Sequence, residues 1–206
     1  MNAYILKRAI EALCDVAKNE LSNEVHPKEL EDIIFLHATG AAIAAMASGW
    51  FPGAGSVVAF GIGVTFVGSM YIRLGNTMGI TFGKGLIRAV ASAVVADLAA
   101  YIATLLTVSA AVSFIPFFGN MSASMLTAIA NFVCVYLAAL IFVKMLSALM
   151  RAGKDVSKMT EAELVAAIKH ERAKTDLEGA MKEAKSQFKQ AKANGDLNRP
   201  GFTPAE

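Results

Sequence analysis

Few residues in this chain of 206 have the types and the spacing that enzyme chemistry requires. The three histidines lie at positions 26, 37 and 170, and no two of them have the spacing of metal ligands on one helix. The segment from Gly79 to Gly85 contains Gly-x-x-x-Gly-Lys, which is shorter than a phosphate-binding loop and lacks its Ser or Thr. No serine-nucleophile elbow and no Cys-x-x-Cys pair occurs. The sequence therefore predicts no catalytic, cofactor-binding or metal-binding residue, and a protein that is not an enzyme.

One acidic residue, Asp97, lies alone in an apolar region. It follows Arg88 by about 13 Å along a helix, and a charge at membrane depth costs roughly 2.5–3.5 kcal/mol. Its side chain is therefore expected to face protein or water. Asn131, near the middle of the last apolar segment, is the expected partner and completes a polar pair. A hydrogen-bonded packing contact is favoured over an ion or proton site, because a single acid makes no pathway.

Formal charges are distributed very unevenly along the chain. Residues 33–72 and 98–143 contain no Asp, Glu, Lys or Arg. The chain is 55% apolar and only 17% charged, which excludes disorder, because disordered chains are charged and poor in apolar groups. A helix needs about 20 apolar residues to cross a bilayer, so each uncharged block is long enough for two crossings.

Each uncharged block is interrupted near its middle by proline and glycine, which end a helix and turn the chain. The turns contain Pro52 with Gly55, and Pro116 with Gly119. We therefore predict an all-α integral membrane protein with two apolar helical hairpins, or about four membrane helices. The expected arms are residues 33–50 with 56–74, and residues 87–115 with 121–148.

Polar helices are predicted on both sides of the hairpins. Residues 3–18 place apolar residues on one stripe and charged residues elsewhere, as an amphipathic helix does, and a second helix is expected to start near Pro27 and continue into the first arm. Thr160 with Glu163 forms a capping box that opens a polar helix ending near Asn194. That helix carries a short coiled-coil-type seam, made of Leu177, Met181, Ala184, Phe188 and Ala191. Its lysines 182, 185, 189 and 192 are typical of a solvated face, with contact to anionic lipid or nucleic acid as the alternative.

These elements define the expected organisation and orientation. Basic residues lie at the open ends of the hairpins and the tips are uncharged, so the positive-inside rule places both termini in the cytoplasm. The tips either reach the far interface or stop within the bilayer. The expected segments are a cytoplasmic amphipathic part (1–32), the membrane-embedded double hairpin (33–148), a cytoplasmic polar helix (149–194) and a flexible tail (195–206).

Small residues recur every fourth position in the apolar arms, which lets helix backbones approach closely in lipid. The second arm has Gly55, Ala59 and Gly63 on one face. The first arm has Ala41, Ala45 and Gly49, and the third has Ala96, Ala100 and Thr104. These faces are expected to pack on other helices, within one subunit or between subunits, and we predict a homo-oligomer.

The segment from Trp50 to about Leu149 resembles an uncharacterised bacterial domain associated with Era-like GTPases. The resemblance rests on Phe51-Pro52-Gly53-Ala54-Gly55, on Met70 to Gly75, on the loop to Lys84, and on Ile115-Pro116-Phe117-Phe118-Gly119. It covers about half of the chain, and Leu74 replaces the usual aromatic residue before Gly75. The resemblance implies association with the bacterial inner membrane and a GTPase partner, and it implies no reaction.

The predicted function is that of a non-enzymatic helical membrane protein. It would self-assemble in the cytoplasmic membrane as a scaffold or pore, with the lipid bilayer and further copies of itself as partners. The alternative is a soluble oligomeric adaptor that buries its apolar hairpins. The net charge of +2 gives no reason to expect nucleic-acid binding. Cys14 and Cys134 are expected to be buried free thiols.

Overall fold

The computed structural model describes residues 4–21, 24–48, 55–112 and 123–199, and within these ranges the secondary structure is helical, without strands, as predicted. Two short 3₁₀ turns, Val156–Lys158 and Asp196–Asn198, accompany the α-helices of the described ranges. These α-helices are α1 (Tyr4–Leu21), α2 (Pro27–Ala47), α3 (Gly55–Thr77), α4 (Lys84–Val112), α5 (Ala123–Arg151), α6 (Glu161–Ala173) and α7 (Leu177–Ala193).

Three of the described helical segments are long and apolar enough to cross a membrane: Pro27–Ala47, Lys84–Ile102 and Ser124–Arg151. They fall on three of the four predicted arms. The remaining arm is the 23-residue helix α3, which is not among these candidate spans. Helix α2 begins at Pro27, as predicted, because proline fixes a helical φ and needs no hydrogen-bond partner in the first turn.

Helix α5 lies at the axis of the bundle and contacts all six of the other α-helices described. Every residue from Asn131 to Val143 is buried, which explains why this segment is apolar on all sides. Tyr71 of α3 stacks on Phe142 with 3.9 Å between ring centroids, and its hydroxyl donates to the carbonyl oxygen of Ala138 at 3.1 Å. The most apolar helix of the chain is therefore enclosed by protein along its central part.

The predicted single polar helix from residue 160 to 194 is wrong, because the structure divides it into α6 and α7. The predicted capping box is confirmed: Glu163 accepts from the Thr160 amide at 2.8 Å, and the Thr160 hydroxyl accepts from the Glu163 amide. A second N-cap restarts the helix where the Asp176 carboxylate accepts from the Gly179 amide at 2.9 Å. The break lets α6 pack on α4 while α7 packs on α5.

The first residues of the segment predicted to be a flexible tail form a turn that packs on the helices. Gly195 adopts a left-handed conformation with φ +77°, which glycine reaches without steric cost. The following 3₁₀ turn buries Leu197 and contacts α2 and α7. Residues 195–199 of the predicted tail are thus packed against two helices, and residues 200–206 lie outside the described ranges.

The connection between α3 and α4 is tightly packed. Gly79 has φ +74°, and the Ile80 amide donates to the Gly75 carbonyl oxygen at 2.8 Å, which closes the end of α3. A Cβ atom on Gly75 would lie 2.6 Å from the Phe82 ring, so only glycine fits at that position. Because Met78 is also fully buried, this connection is part of the core.

Candidate membrane-embedding site

Three aromatic rings bring α2, α5 and α7 together near the first third of α5. Phe132 of α5 contacts Phe35 of α2 edge-on, with 6.4 Å between ring centroids. On another side it contacts Phe188 of α7, with centroids 5.5 Å apart. Helices α2, α5 and α7 therefore meet at one height, which we call the Phe132 level and define by these three rings.

From the Phe132 level to the end of α5, polar helices run alongside it. The Tyr136 hydroxyl donates to Glu183 at 2.5 Å, and the Lys144 ammonium donates to the Thr175 hydroxyl at 3.0 Å. Together with the contact of Phe132 and Phe188, these contacts show that residues 175–188 run antiparallel to residues 132–144 of α5. Chain segments on the polar side thus cover about 18 Å of α5.

Helices α3 and α4 approach α5 closely at Gly63 and Val95. A Cβ atom on Gly63 would lie 3.1 Å from the nearest methyl carbon of Val95 and 3.7 Å from the Asn131 side-chain oxygen. Asn131 is the neighbour of Phe132 in α5, so α3, α4 and α5 cross closely at the Phe132 level. Because Gly63 has no side chain, α3 can approach α4 and α5 this closely.

The predicted polar pair of Asp97 and Asn131 is wrong. Asp97 forms an ion pair with Arg172 of α6, with 2.5 Å between Oδ2 and Nε, and both side chains are partly exposed. The Asn131 side-chain amide donates to the Thr127 carbonyl oxygen at 3.1 Å. The folding back of α6 onto α4 thus supplies a counter-charge to Asp97.

The helix segments nearest the hairpin turns carry no formal charge. We call this region the apolar end: residues 36–47 of α2, 55–65 of α3, 98–112 of α4 and 123–131 of α5. It contains no Asp, Glu, Lys or Arg. The large apolar side chains exposed there are Leu36, Val58 and Phe60, each exposed by about two fifths, and the other exposed one among the described residues is Tyr4.

The polar side chain of His37 in the apolar end is enclosed. His37 is fully buried, with Nδ1 2.7 Å from the Ile33 carbonyl oxygen and Nε2 3.3 Å from the Ser69 hydroxyl. Its hydrogen bonds to α2 and α3 thus satisfy the ring inside the bundle. This position therefore adds no exposed polar group to the surface of the apolar end.

The predicted small-residue faces have different surroundings. Ala41 and Ala45 are fully buried, and Gly63 faces α4 and α5 of the same subunit. Ala96 and Ala100 on α4 are exposed. Gly55 begins α3 and Ala59 follows one turn later, but their burial lies outside the description. The predicted residues Gly49, Pro52, Pro116 and Gly119 lie outside the described ranges.

The sequence reasoning missed a buried polar cluster that joins α1, α5 and α7. Glu183 is 7% exposed and accepts from the amides of Ile5 at 2.9 Å and Leu6 at 3.2 Å, in addition to the Tyr136 hydroxyl. Helix α1 has no acidic residue in its own first turn, so this carboxylate supplies the negative charge that a helix N-terminus favours. The sequence signal for this cluster was the position of Glu183, an acidic residue between Met181 and Ala184 of the apolar seam.

An open cleft of about 440 Å³ lies between α1, α6 and the C-terminal part of α5. Its charged lining residues are Arg8, Lys144, Arg151 and Glu171. Lys144 is about 18 Å along α5 from Phe132, so the cleft opens far from the apolar end. Among the residues that the structure describes, no three His, Cys, Asp or Glu side chains are grouped as metal ligands would be.

No protein-family model matches this chain, and no characterised protein or solved structure matches it either. The resemblance to the domain associated with Era-like GTPases therefore stays a prediction that rests on the quoted turn motifs.

Proposed function

We propose that this chain is a non-enzymatic membrane protein whose apolar end is embedded in the bilayer and whose polar helices form a body on the cytoplasmic side. The observation that carries the proposal is the apolar end itself, which is built from segments of four helices and is free of formal charge. Leu36, Val58 and Phe60 are exposed on it. Lipid is the solvent that matches helix segments of this length without formal charge.

The orientation follows from the position of the helices near the two ends of the chain. The first turn of α1 donates to Glu183 of α7, so these two helices lie against each other in the polar body. Arg73, Lys84 and Arg88 lie on the same side of the Phe132 level. Under the positive-inside rule this body is cytoplasmic, in the inner membrane of a bacterium.

A scaffold fits the packing better than a pore does. Helix α5 occupies the axis of the bundle, and its residues from Asn131 to Val143 are buried among side chains. A conducting path would therefore have to lie between subunits. For self-assembly we propose the face of α4 that carries Ala96 and Ala99, because both are exposed and small, whereas Ala41 and Ala45 are already buried within the subunit.

Vesicle flotation followed by a carbonate wash tests the membrane proposal. Wild-type protein should float with vesicles and resist extraction. Phe60→Glu should weaken retention, because a carboxylate placed in the apolar end costs up to about 3 kcal/mol. Tyr4→Glu is the matched control, since Tyr4 is an exposed aromatic residue of the polar body, and it should leave retention unchanged. Release of the wild-type protein by carbonate would favour the soluble adaptor instead.

Particle mass in mild detergent tests self-assembly separately. Ala96→Leu should reduce the mass to that of one subunit, because the added bulk prevents close approach of two α4 helices. Ala166→Leu, on an exposed position of α6, should leave the mass unchanged. A wild-type protein with the mass of one subunit would overturn self-assembly and leave the membrane proposal standing.

A further inference from the structure

We infer that the cleft between α1, α5 and α6 binds a phosphate monoester through Arg8, Lys144 and Arg151. The inference goes beyond the proposed membrane function and does not depend on it. The cleft has a volume of about 440 Å³, which lies within the usual range of small-molecule sites. Its support comes from the placement of the cationic side chains, the shortage of counter-charge and a buried hydroxyl that lines the cleft.

One face of α1 and one face of α5 form two walls of the cleft. Lys144, Ser147 and Arg151 of α5 line it, and their spacing of three and four positions places them on one side of the helix. Tyr4 and Arg8, one helical turn apart on α1, line it as well. Because α1 packs on α5, cationic side chains of both helices border the same volume.

Positive charge in the cleft exceeds negative charge. Among the described residues that line it, Glu171 is the single carboxylate, and it pairs with Lys174, with 3.6 Å between Oε1 and Nζ. In the part of the chain that the structure describes, no carboxylate lies within ion-pair distance of Arg8, Lys144 or Arg151. A cleft lined by charge of one sign attracts an anion, and one with two negative charges most strongly.

Ser147 adds a hydroxyl to the cationic groups. It is only 6% exposed and lines the cleft, and no described residue forms a hydrogen bond with its side chain. Buried hydroxyls usually have a partner, because desolvation without one is costly. One turn earlier, the Lys144 ammonium donates to the Thr175 hydroxyl at 3.0 Å, which orients it and leaves further N–H groups for an anion. A phosphate oxygen accepts from both groups.

The arginine side chains favour phosphate over other anions. The guanidinium carbon of Arg8 lies 3.9 Å from the centroid of the Tyr4 ring. A guanidinium stacked in this way keeps its N–H edge available for two phosphate oxygens. Arg151 is exposed at the end of α5, so a tetrahedral anion can accept from both walls at once. The apolar part of the lining, which includes Ala9 and Ala12, accommodates the organic group of a monoester.

Calorimetric titration of the detergent-solubilised protein tests the site and distinguishes two sources of the phosphate. The probes are glycerol 3-phosphate and dihexanoyl phosphatidic acid, which carry the same phosphate monoester, but only the second carries acyl chains. Equal affinities would identify a soluble phosphate as the ligand, and tighter binding of the lipid would identify a headgroup. Binding of neither probe would overturn the inference and would leave the membrane proposal standing, because no bilayer is involved.

A charge-matched pair of double variants tests whether the cleft is the site. Arg8→Gln/Arg151→Gln should weaken binding of the tighter probe about 30-fold, since two partly screened charged hydrogen bonds are lost. Lys7→Gln/Lys154→Gln removes the same charge from exposed positions outside the lining and should have little effect. Equal losses for the two double variants would show that only net charge matters and would contradict a site in the cleft.

Ser147→Ala separates ligand binding from stability. The variant should bind the tighter probe about 5-fold more weakly, because one hydrogen bond to the phosphate is lost. Its melting temperature without ligand should stay at the wild-type value, since no described residue depends on this hydroxyl. Unchanged affinity would refute the assignment of the Ser147 hydroxyl to the phosphate.

Discussion

The buried carboxylate of Glu183 should hold α1 to the bundle, and the hydroxyl of Tyr136 should contribute a measurable part of that stability. The two side chains are 7% and 3% exposed and are joined by a 2.5 Å hydrogen bond. A hydrogen bond to a charged group contributes about 1.5–3 kcal/mol. Tyr136→Phe should therefore lower the free energy of unfolding by about 2 kcal/mol, because it removes one donor and leaves the carboxylate its two amide donors.

The cost of removing the carboxylate should be larger. Glu183→Met keeps the length of the side chain and the helix propensity, but it leaves the amides of Ile5 and Leu6 and the Tyr136 hydroxyl without their acceptor. We expect a loss of at least about 3 kcal/mol. In this background Tyr136→Phe should cost almost nothing, since the hydroxyl already lacks its partner. The coupling energy of the double-mutant cycle should therefore be about 2 kcal/mol.

Urea unfolding in mild detergent, followed by far-ultraviolet circular dichroism, measures these differences. In the Glu183→Met variant, the amides of Ile5 and Leu6 should be the first to lose protection from hydrogen exchange. Glu178→Gln is the matched control, because Glu178 is an exposed carboxylate of the same helix and a surface pair of this kind contributes little. An equal cost of Tyr136→Phe with and without Glu183 would refute the reasoning, because it would show that the short contact carries no energy.

Three further predictions follow from local geometry. Gly63→Leu should destabilise the fold by about 1–3 kcal/mol, because even its Cβ atom would lie 3.1 Å from Val95, whereas Gly61→Leu, whose Cβ has open space, should be tolerated in thermal unfolding. Gly75→Ala should lower the melting temperature despite the better helix propensity of alanine, and an unchanged melting temperature would contradict the packing described. Burial, with the nearby acids, raises the pKa of Cys14 from 9.0 to about 11. At pH 8 its alkylation, followed by mass spectrometry, should be about 100-fold slower than that of an ordinary thiol. The alkylation rate should continue to increase with pH above pH 9.

Local interactions determined what could be predicted from the sequence alone. The start of α2 at Pro27 and the capping box of Thr160 and Glu163 depend on residues within one helical turn, so their spacing was sufficient. The two uncharged blocks fixed the apolar helices, because burial and lipid both exclude unpaired charge. The free, buried state of Cys14 and Cys134, also predicted, is confirmed.

Long-range packing decided the rest. Arg172 is 75 positions from Asp97, and no periodicity indicated that α6 would fold back on α4 to form the ion pair. Gly63 lay on a small-residue face that suited contacts within or between subunits, and only the crossing of α3, α4 and α5 turned it inward. The height of the Phe132 level depends on α7 packing along α5. Sequence spacing sets which residues share one face of a helix, but the partner of that face is set by how all the helices cross.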